Sequence, residues 1–322
     1  MADEHRELVA AGANLAWRRR SVLWWVFAVN IVSGALGTLP AARQLHNTVR
    51  HTLAGEQLVK GFDLGMFYEL LRLPEVNLWR FTVSSYLFAG LFAIFMLFVS
   101  GGILEAYRQD RLLSTGNFLA ASGAFFWRFV RLALISLILF ALLGNTYLGV
   151  DKASDYLGDK AVADQVGFVI WLVGVIVLFL LALFVRLWFD IAKVRAVARN
   201  ERSMLRNMLK AFDIARRQFG TLLWMYLRIS LVAWITLLVA FLILTKLPPT
   251  AIWATFVLLE LVVLVQLAAR LWQMASATVW YQRQVEAVPT ESDLASPKLA
   301  EMTEPQPQLS LYPETELPTA DD

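Results

Sequence analysis

The chain of 322 residues has no cysteine and only three histidines, His5, His46 and His51. The first absence excludes disulfides, thiol nucleophiles, thiolate zinc sites and iron–sulfur clusters. The second excludes paired intramembrane haem ligands and an HExxH metalloprotease, because none of the three histidines lies in an apolar run. His46 and His51 are five apart, a spacing that does not stack two imidazoles on one helix face, so no metal site and no cofactor is expected. Charge is scarce as well: 17% of residues are charged, against about 25% in soluble domains. No P-loop, no G-x-S-x-G elbow and no pair of intramembrane aspartates is present, so no enzyme class is indicated.

What is abundant is apolar surface. The chain is 58% hydrophobic with a mean hydropathy of +0.56, more than one soluble core can bury. Six apolar runs, at about 21–39, 81–104, 129–149, 166–189, 221–247 and 250–270, are each long enough to cross about 30 Å of hydrocarbon as a helix. The expected fold is therefore all-α, a six-span transmembrane bundle filling residues 1–286. Arg19-Arg20-Ser21 echoes a twin-arginine signal, but the apolar run after it is too long for an h-region and has no A-x-A site, so it reads as an uncleaved first helix. Pro248-Pro249 leaves room only for a tight hairpin between the last two spans.

Lysine and arginine divide unequally across this layout, with twenty on the side of the N-terminus and eight on the other. Five of those eight lie in the long 40–80 segment, where the positive-inside rule is weakest. A bacterial cytoplasmic membrane with both termini inside is expected. After Val285 the composition changes: residues 287–322 hold six of the ten prolines and eight acidic residues against one lysine, Lys298. That reads as a disordered acidic tail of net charge −7, with a possible protein partner, and leaves the membrane body at +10. Such a basic body points to anionic inner-leaflet lipid as a partner rather than nucleic acid.

An internal repeat links spans two and three with spans four and five. Ile103-Leu104-Glu105-Ala106-Tyr107-Arg108 matches Trp188-Phe189-Asp190-Ile191-Ala192-Lys193, and Arg131 early in span three matches Arg228 early in span five. A second echo, Arg186-Leu187-Trp188 and Arg270-Leu271-Trp272, marks the ends of spans four and six. The connectors at 105–128 and 190–220 read as interfacial amphipathic helices. In the second, Met204, Leu205, Met208, Leu209 and Phe212 recur at helical spacing opposite Arg202, Arg206, Lys210 and Arg217, after a cap at Asn200 or Ser203; these four cations are the candidate interfacial lipid-binding residues. Ser114 or Thr115 caps a shorter counterpart in the first connector. In the 40–80 segment, Gln44–Leu53 and Asp63–Leu73 have helical periodicity and suggest a small outer cap.

Within the spans, Glu260 stands at the centre of the sixth, ten residues from either end, where a bare charge costs at least about 2.5 kcal/mol. Arg228 is its expected partner, across a depth gap of roughly 8 Å by helix rise. Arg131, Arg186 and Arg270 lie where they can snorkel, and Glu105 and Asp190, at similar depth, can pair with them. Asn30, Gln266 and Gln273 offer interhelical hydrogen bonds.

The six-span layout and the stretches Gly101–Arg131 and Arg186–Arg228 resemble the membrane domain that precedes the catalytic domain of membrane-bound glycerophosphodiester phosphodiesterases, and the uncharacterised bacterial polytopic families related to it. The resemblance implies a polytopic helical membrane domain. It implies no phosphodiesterase activity, because no barrel with metal-binding carboxylates and histidines accompanies the spans. The function expected from the sequence is a non-enzymatic scaffold or lipid-associated protein; the alternative is a proton- or cation-linked transporter using Glu260.

Overall fold

The computed structural model describes residues 2–49, 78–109, 113–160, 165–201, 203–248 and 251–286, with Gly65, Tyr68 and Arg72 between the first two segments. Among the described residues, the first of two compact units, Met1–Tyr281, holds eight α-helices and no strand. They are α1 (Ala2–Arg18), α2 (Arg20–Val49), α3 (Leu78–Gln109), α4 (Thr115–Lys160), α5 (Gln165–Ala198), α6 (Met204–Arg217), α7 (Phe219–Leu244) and α8 (Ile252–Tyr281). Of the second unit, a π-helical turn, Gln282–Glu286, is described. The six expected spans are α2, α3, α4, α5, α7 and α8, each long and apolar enough to cross a membrane. The fold is thus the all-α, six-span, multi-pass membrane bundle that the apolar runs indicated.

Several boundaries differ from the sequence reading, for physical reasons. While 105–109 of the first connector end α3, span three and that connector from Thr115 onward are one 46-residue helix, α4. Ser114 starts it, its Oγ accepting the Asn117 amide at 3.3 Å, and neither a proline nor a glycine pair interrupts the helix beyond that turn. Beyond the expected end of span three at 149, α4 continues to Lys160. Span six runs on to Tyr281, and span four to Ala198. Ser203 occupies the N-cap position of α6 without a side-chain cap bond, and Asn200 adopts φ 47° in the turn before it. Asn200 uses its Oδ1 to accept from Arg128 at 2.9 Å instead of capping. Of the outer cap expected over 40–80, residues 40–49 continue α2 and 78–80 open α3, while 50–77, apart from Gly65, Tyr68 and Arg72, lie outside the described residues, as does the tail 287–322.

The core is concentrated at one end of the bundle, the end that carries the connectors. Val99 to Tyr107 of α3, Phe125 to Leu132 of α4, Val185 to Val197 of α5, Leu222 to Ile229 of α7 and Ala269 to Tyr281 of α8 supply most of its buried apolar side chains. α8 is the hub, touching α1, α2, α3, α5 and α7. Toward the other end the helices expose Leu137, Ile138, Phe179, Leu242 and Trp253. Lipid tails are as apolar as these side chains, so nothing drives them together there. Close approaches there occur at glycines: a Cβ on Gly158 of α4 would meet Gly167 Cα of α5 at 3.2 Å, and one on Gly37 of α2 would meet Phe88 Cβ of α3 at 3.3 Å.

α1 was not anticipated. Leu8, Gly12, Leu15 and Arg19 face inward at spacings of four, three and four residues. That is helical periodicity, masked in the sequence by the charges around it. The Arg-Leu-Trp echo explains how it docks: Trp272 Nε1 donates to the Val9 carbonyl of α1 at 2.8 Å, and Trp188 Nε1 donates to the Met208 carbonyl of α6 at 2.8 Å. Each copy of the motif pins one short amphipathic helix to the end of a span.

Candidate functional site

The two arginines of the echo converge on one cluster. Arg270 of α8 forms a bidentate pair with Asp190 of α5, Nη1 to Oδ2 and Nη2 to Oδ1, both at 2.7 Å. Asp190 is 5% exposed, and its Oδ2 also accepts from the Tyr226 hydroxyl of α7 at 3.3 Å. Lys193, one turn on, lies 3.9 Å from Oδ1. Arg186 reaches from α5 to Gln273 Oε1 at 2.9 Å, and Gln273 Nε2 donates to Ser230 Oγ at 2.9 Å. Three cations therefore surround one buried carboxylate. Arg186, Arg270, Gln273, Gln266 and Ser230 line a cavity of about 310 Å³ between α5, α7 and α8, walled on its apolar side by Trp234 and Leu237.

This cluster was partly legible. Pairing of Asp190 with one of the arginines at its depth, and interhelical bonding by Gln273, were expected from the sequence; their convergence with Arg186 and Tyr226 was not. The missed signal was the Arg-Leu-Trp repeat, read as marking helix ends alone. Glu105, the counterpart of Asp190, pairs within its own helix with Arg108 at 2.7 Å. The repeat has kept its form while its two acids have different partners.

The expected Glu260–Arg228 pair is not formed. Arg228 sits over the Trp224 ring, 5.1 Å from its centroid, and borders a second cavity with Val9, Ala10 and Trp272. An arginine so placed gains more by leaning toward the connector end and an aromatic face than by reaching to mid-span. Glu260 is half-buried, and its Oε2 is enclosed without a hydrogen-bond partner among the described residues.

The cationic connector helix divides into three faces. Met204, Asn207, Met208, Ala211 and Ala215 pack on the bundle; Leu205 and Leu209, each 70% exposed, and Phe212 form an apolar ridge; Arg206, Lys210 and Arg217 form an exposed basic ridge, in which Arg217 pairs with Asp213 at 2.9 Å and Lys210 lies 3.7 Å from Glu201. Arg202 lies outside the described residues. The apolar set expected on one face is thus split, since Met204 and Met208 turn to the bundle. Buried Arg195 of α5 holds the helix in place. It makes bidentate bonds to Glu201 at 2.8 and 3.0 Å and a bond to Asn207 Oδ1 at 3.1 Å, while Asn207 Nδ2 donates to the Ala192 carbonyl at 2.8 Å.

Neither family models, curated proteins nor solved structures give a match to this chain. Its chemistry must be read from its own residues. Among the described residues no group of three or more potential metal ligands occurs.

The Arg195 clasp has a pH consequence. Hydrogen bonds from Arg195, more than its charge or that of Lys210, hold the Glu201 carboxyl below the usual glutamate range. A lowered folded-state pKa contributes stability that is present above the unfolded value and lost as pH falls through the folded one. The α6 dock should therefore hold at neutral pH and loosen only below about pH 4.5, the ordinary value for the group. Because the chain has no cysteine, spin labels can be introduced at exposed Trp127 and Arg216. A single narrow distance at pH 7 should broaden below that range, and Glu201→Gln should abolish the pH response. A distance unchanged down to pH 3 would contradict the clasp.

Proposed function

We propose that this protein is a non-enzymatic, lipid-associated membrane protein that holds the phosphate of an anionic phospholipid between α5, α7 and α8, with its connector end facing the bacterial cytoplasm. The observation that carries the reading is the charge excess at that site: Arg186, Lys193 and Arg270 stand against Asp190 alone, and two of the three cations, Arg186 and Arg270, line a cavity with polar and apolar walls. Buried or membrane-level charge requires compensation, and an inner-leaflet phosphate would supply it while the acyl chains lie along Trp234 and Leu237. The connector helix supports the same reading. Its apolar ridge suits the hydrocarbon boundary and its basic ridge suits anionic headgroups, a cation outside an ion pair contributing about 1 kcal/mol near a charged surface. The excess of lysine and arginine on this side supports the orientation. The resemblance to phosphodiesterase membrane domains agrees with a membrane-embedded supporting role and brings no catalytic residue with it.

The test is lipid binding by the delipidated protein, read by native mass spectrometry with phosphatidylglycerol and with phosphatidylcholine. The wild type should prefer phosphatidylglycerol, and Arg186→Gln, an exposed position, should weaken that lipid about tenfold, the loss of one charge-assisted bond of about 1.4 kcal/mol. Equal affinity for the two lipids would end this reading.

A second reading rests on Glu260. A half-buried carboxyl at mid-span with an enclosed, partnerless oxygen suits a proton- or cation-linked transporter. Proton flux in liposomes that is lost in Glu260→Gln would favour it over lipid retention.

A further inference from the structure

The corner of the bundle where α1 docks holds an apolar groove that the Asp190 cluster does not use. It lies between α1, the start of α2, α7 and α8 and has a volume of about 550 Å³, within the roughly 300–1,000 Å³ of ligand-sized sites. Ala13 and Ala16 of α1 and Ala268 of α8 leave the space, and the indoles of Trp17 and Trp272 wall it. Leu23 lies about one turn beyond Arg20 along α2, and Val265 about two turns before Trp272 along α8, so both carry the apolar lining toward the middle of the membrane.

The charge on this groove has one sign. Arg20 lines it and is the first residue of the α2 span, which puts its guanidinium at headgroup level. The residue is exposed, stands over the Trp17 ring at 6.0 Å from the centroid, and forms no ion pair with a carboxylate among the described residues. Trp17 is 68% exposed, the setting of an indole in the interfacial belt. Trp272 also walls the neighbouring cavity bordered by Arg228, and no acidic residue lines either cavity. A concave apolar surface at this depth must be filled by hydrocarbon, because an empty space forfeits the dispersion contacts of its lining. A chain that carries a negative headgroup fills the groove and meets the cation at its mouth in one molecule.

We infer that this groove seats one acyl chain of an anionic phospholipid whose headgroup lies against Arg20, and that the docking of α1 on α8 builds this second lipid site. The groove and the cavity between α5, α7 and α8 share Ala269 as a wall and no cation, so the inference does not rest on the reading proposed above.

Photolabelling of the delipidated full chain in phosphatidylcholine vesicles tests this, with a trace of phosphatidylglycerol or phosphatidylcholine carrying a diazirine on its acyl chain, followed by peptide mapping. The phosphatidylglycerol probe should label 13–23 and 265–272 more than the phosphatidylcholine probe does. The ratio should be about fivefold, the equivalent of about 1 kcal/mol for one cation at an anionic surface. The two probes should label outward-facing Phe179 and Leu242 alike. Arg20→Gln should remove the preference while labelling by the phosphatidylcholine probe stays as it was. Val232→Trp, at an exposed position on the groove, should fill the space and lower labelling of 265–272 by both probes; should that variant fail to fold, Ala268→Leu fills it from α8. A preference in whole-protein lipid binding that Arg186→Gln leaves intact and Arg20→Gln removes would end the α5–α7–α8 reading and retain this one. The inference is overturned if 13–23 and 265–272 take up no more label than Phe179 and Leu242, if the two probes label them alike in the wild type, or if Arg20→Gln keeps the preference.

Discussion

Arg270→Ala should lower the stability of the bundle by about 3–5 kcal/mol, the usual consequence of leaving one member of a buried pair alone. Asp190 is then the exposed liability. Its carboxylate side chain is 6% accessible and loses two 2.7 Å bonds, keeping only the 3.3 Å bond from Tyr226 and the distant Lys193. Asp190→Ala should cost less, because Arg270 is 29% accessible at its side chain and keeps a bond partner in Gln273. The two losses should not add. Asp190→Leu/Arg270→Leu removes both charges and should be more stable than Arg270→Ala, since an apolar pair can replace an ionic one at little net change. Denaturant unfolding in one detergent of the parent, the two alanine variants and Asp190→Ala/Arg270→Ala measures the cycle, with the double leucine variant alongside. Additive losses would mean that Asp190 and Arg270 act independently and would remove the basis for treating them as one cluster.

The parts legible in sequence and the parts that were not differ in range. Six spans are written in runs of twenty or so neighbouring residues, and α6 in a 3.6-residue period, so local reading suffices for them. The Asp190 cluster is assembled from residues about 36 to 87 positions apart; depth alone suggested the pairing of Asp190 with an arginine, and only the Arg-Leu-Trp repeat hinted at the convergence of the rest. Glu260 and Arg228 show the converse error. Both were identified as unusual by depth, yet depth along a helix says nothing about azimuth, and Arg228 had an aromatic face within its own helix to satisfy it. Arg19 was hidden for a third reason. Three consecutive arginines before a span read as a topogenic flank, and only the inward periodicity Leu8, Gly12, Leu15 distinguishes the one that is buried from the two that are exposed.

That buried face of α1 depends on one glycine. A Cβ at Gly12 would lie 2.1 Å from Ser276 Oγ and 2.8 Å from Ser276 Cα on α8. The hydroxyl can rotate away, but the Cα is backbone, so even Gly12→Ala must push the two helices apart. Overpacking of this kind costs about 1–3 kcal/mol. Gly12→Leu should go further and release α1, because the displacement also opens the Trp272–Val9 bond and uncovers Leu8 and Leu15, each worth about 1.5–3 kcal/mol of apolar burial. In the cysteine-free chain a single Leu8→Cys reports the event: maleimide should react slowly in the parent and at least about tenfold faster with Gly12→Leu, matching a loss of about 1.4 kcal/mol or more in local opening. Ser276→Gly should rescue Gly12→Ala in part, since it takes away the crowding side chain while the α8 backbone stays where it is. If labelling were as slow in Gly12→Leu as in the parent, α1 would not be held by this close approach. The burial of Arg19, a consequence of α1 and the start of α2 docking on the same inward stripe, would then need another cause.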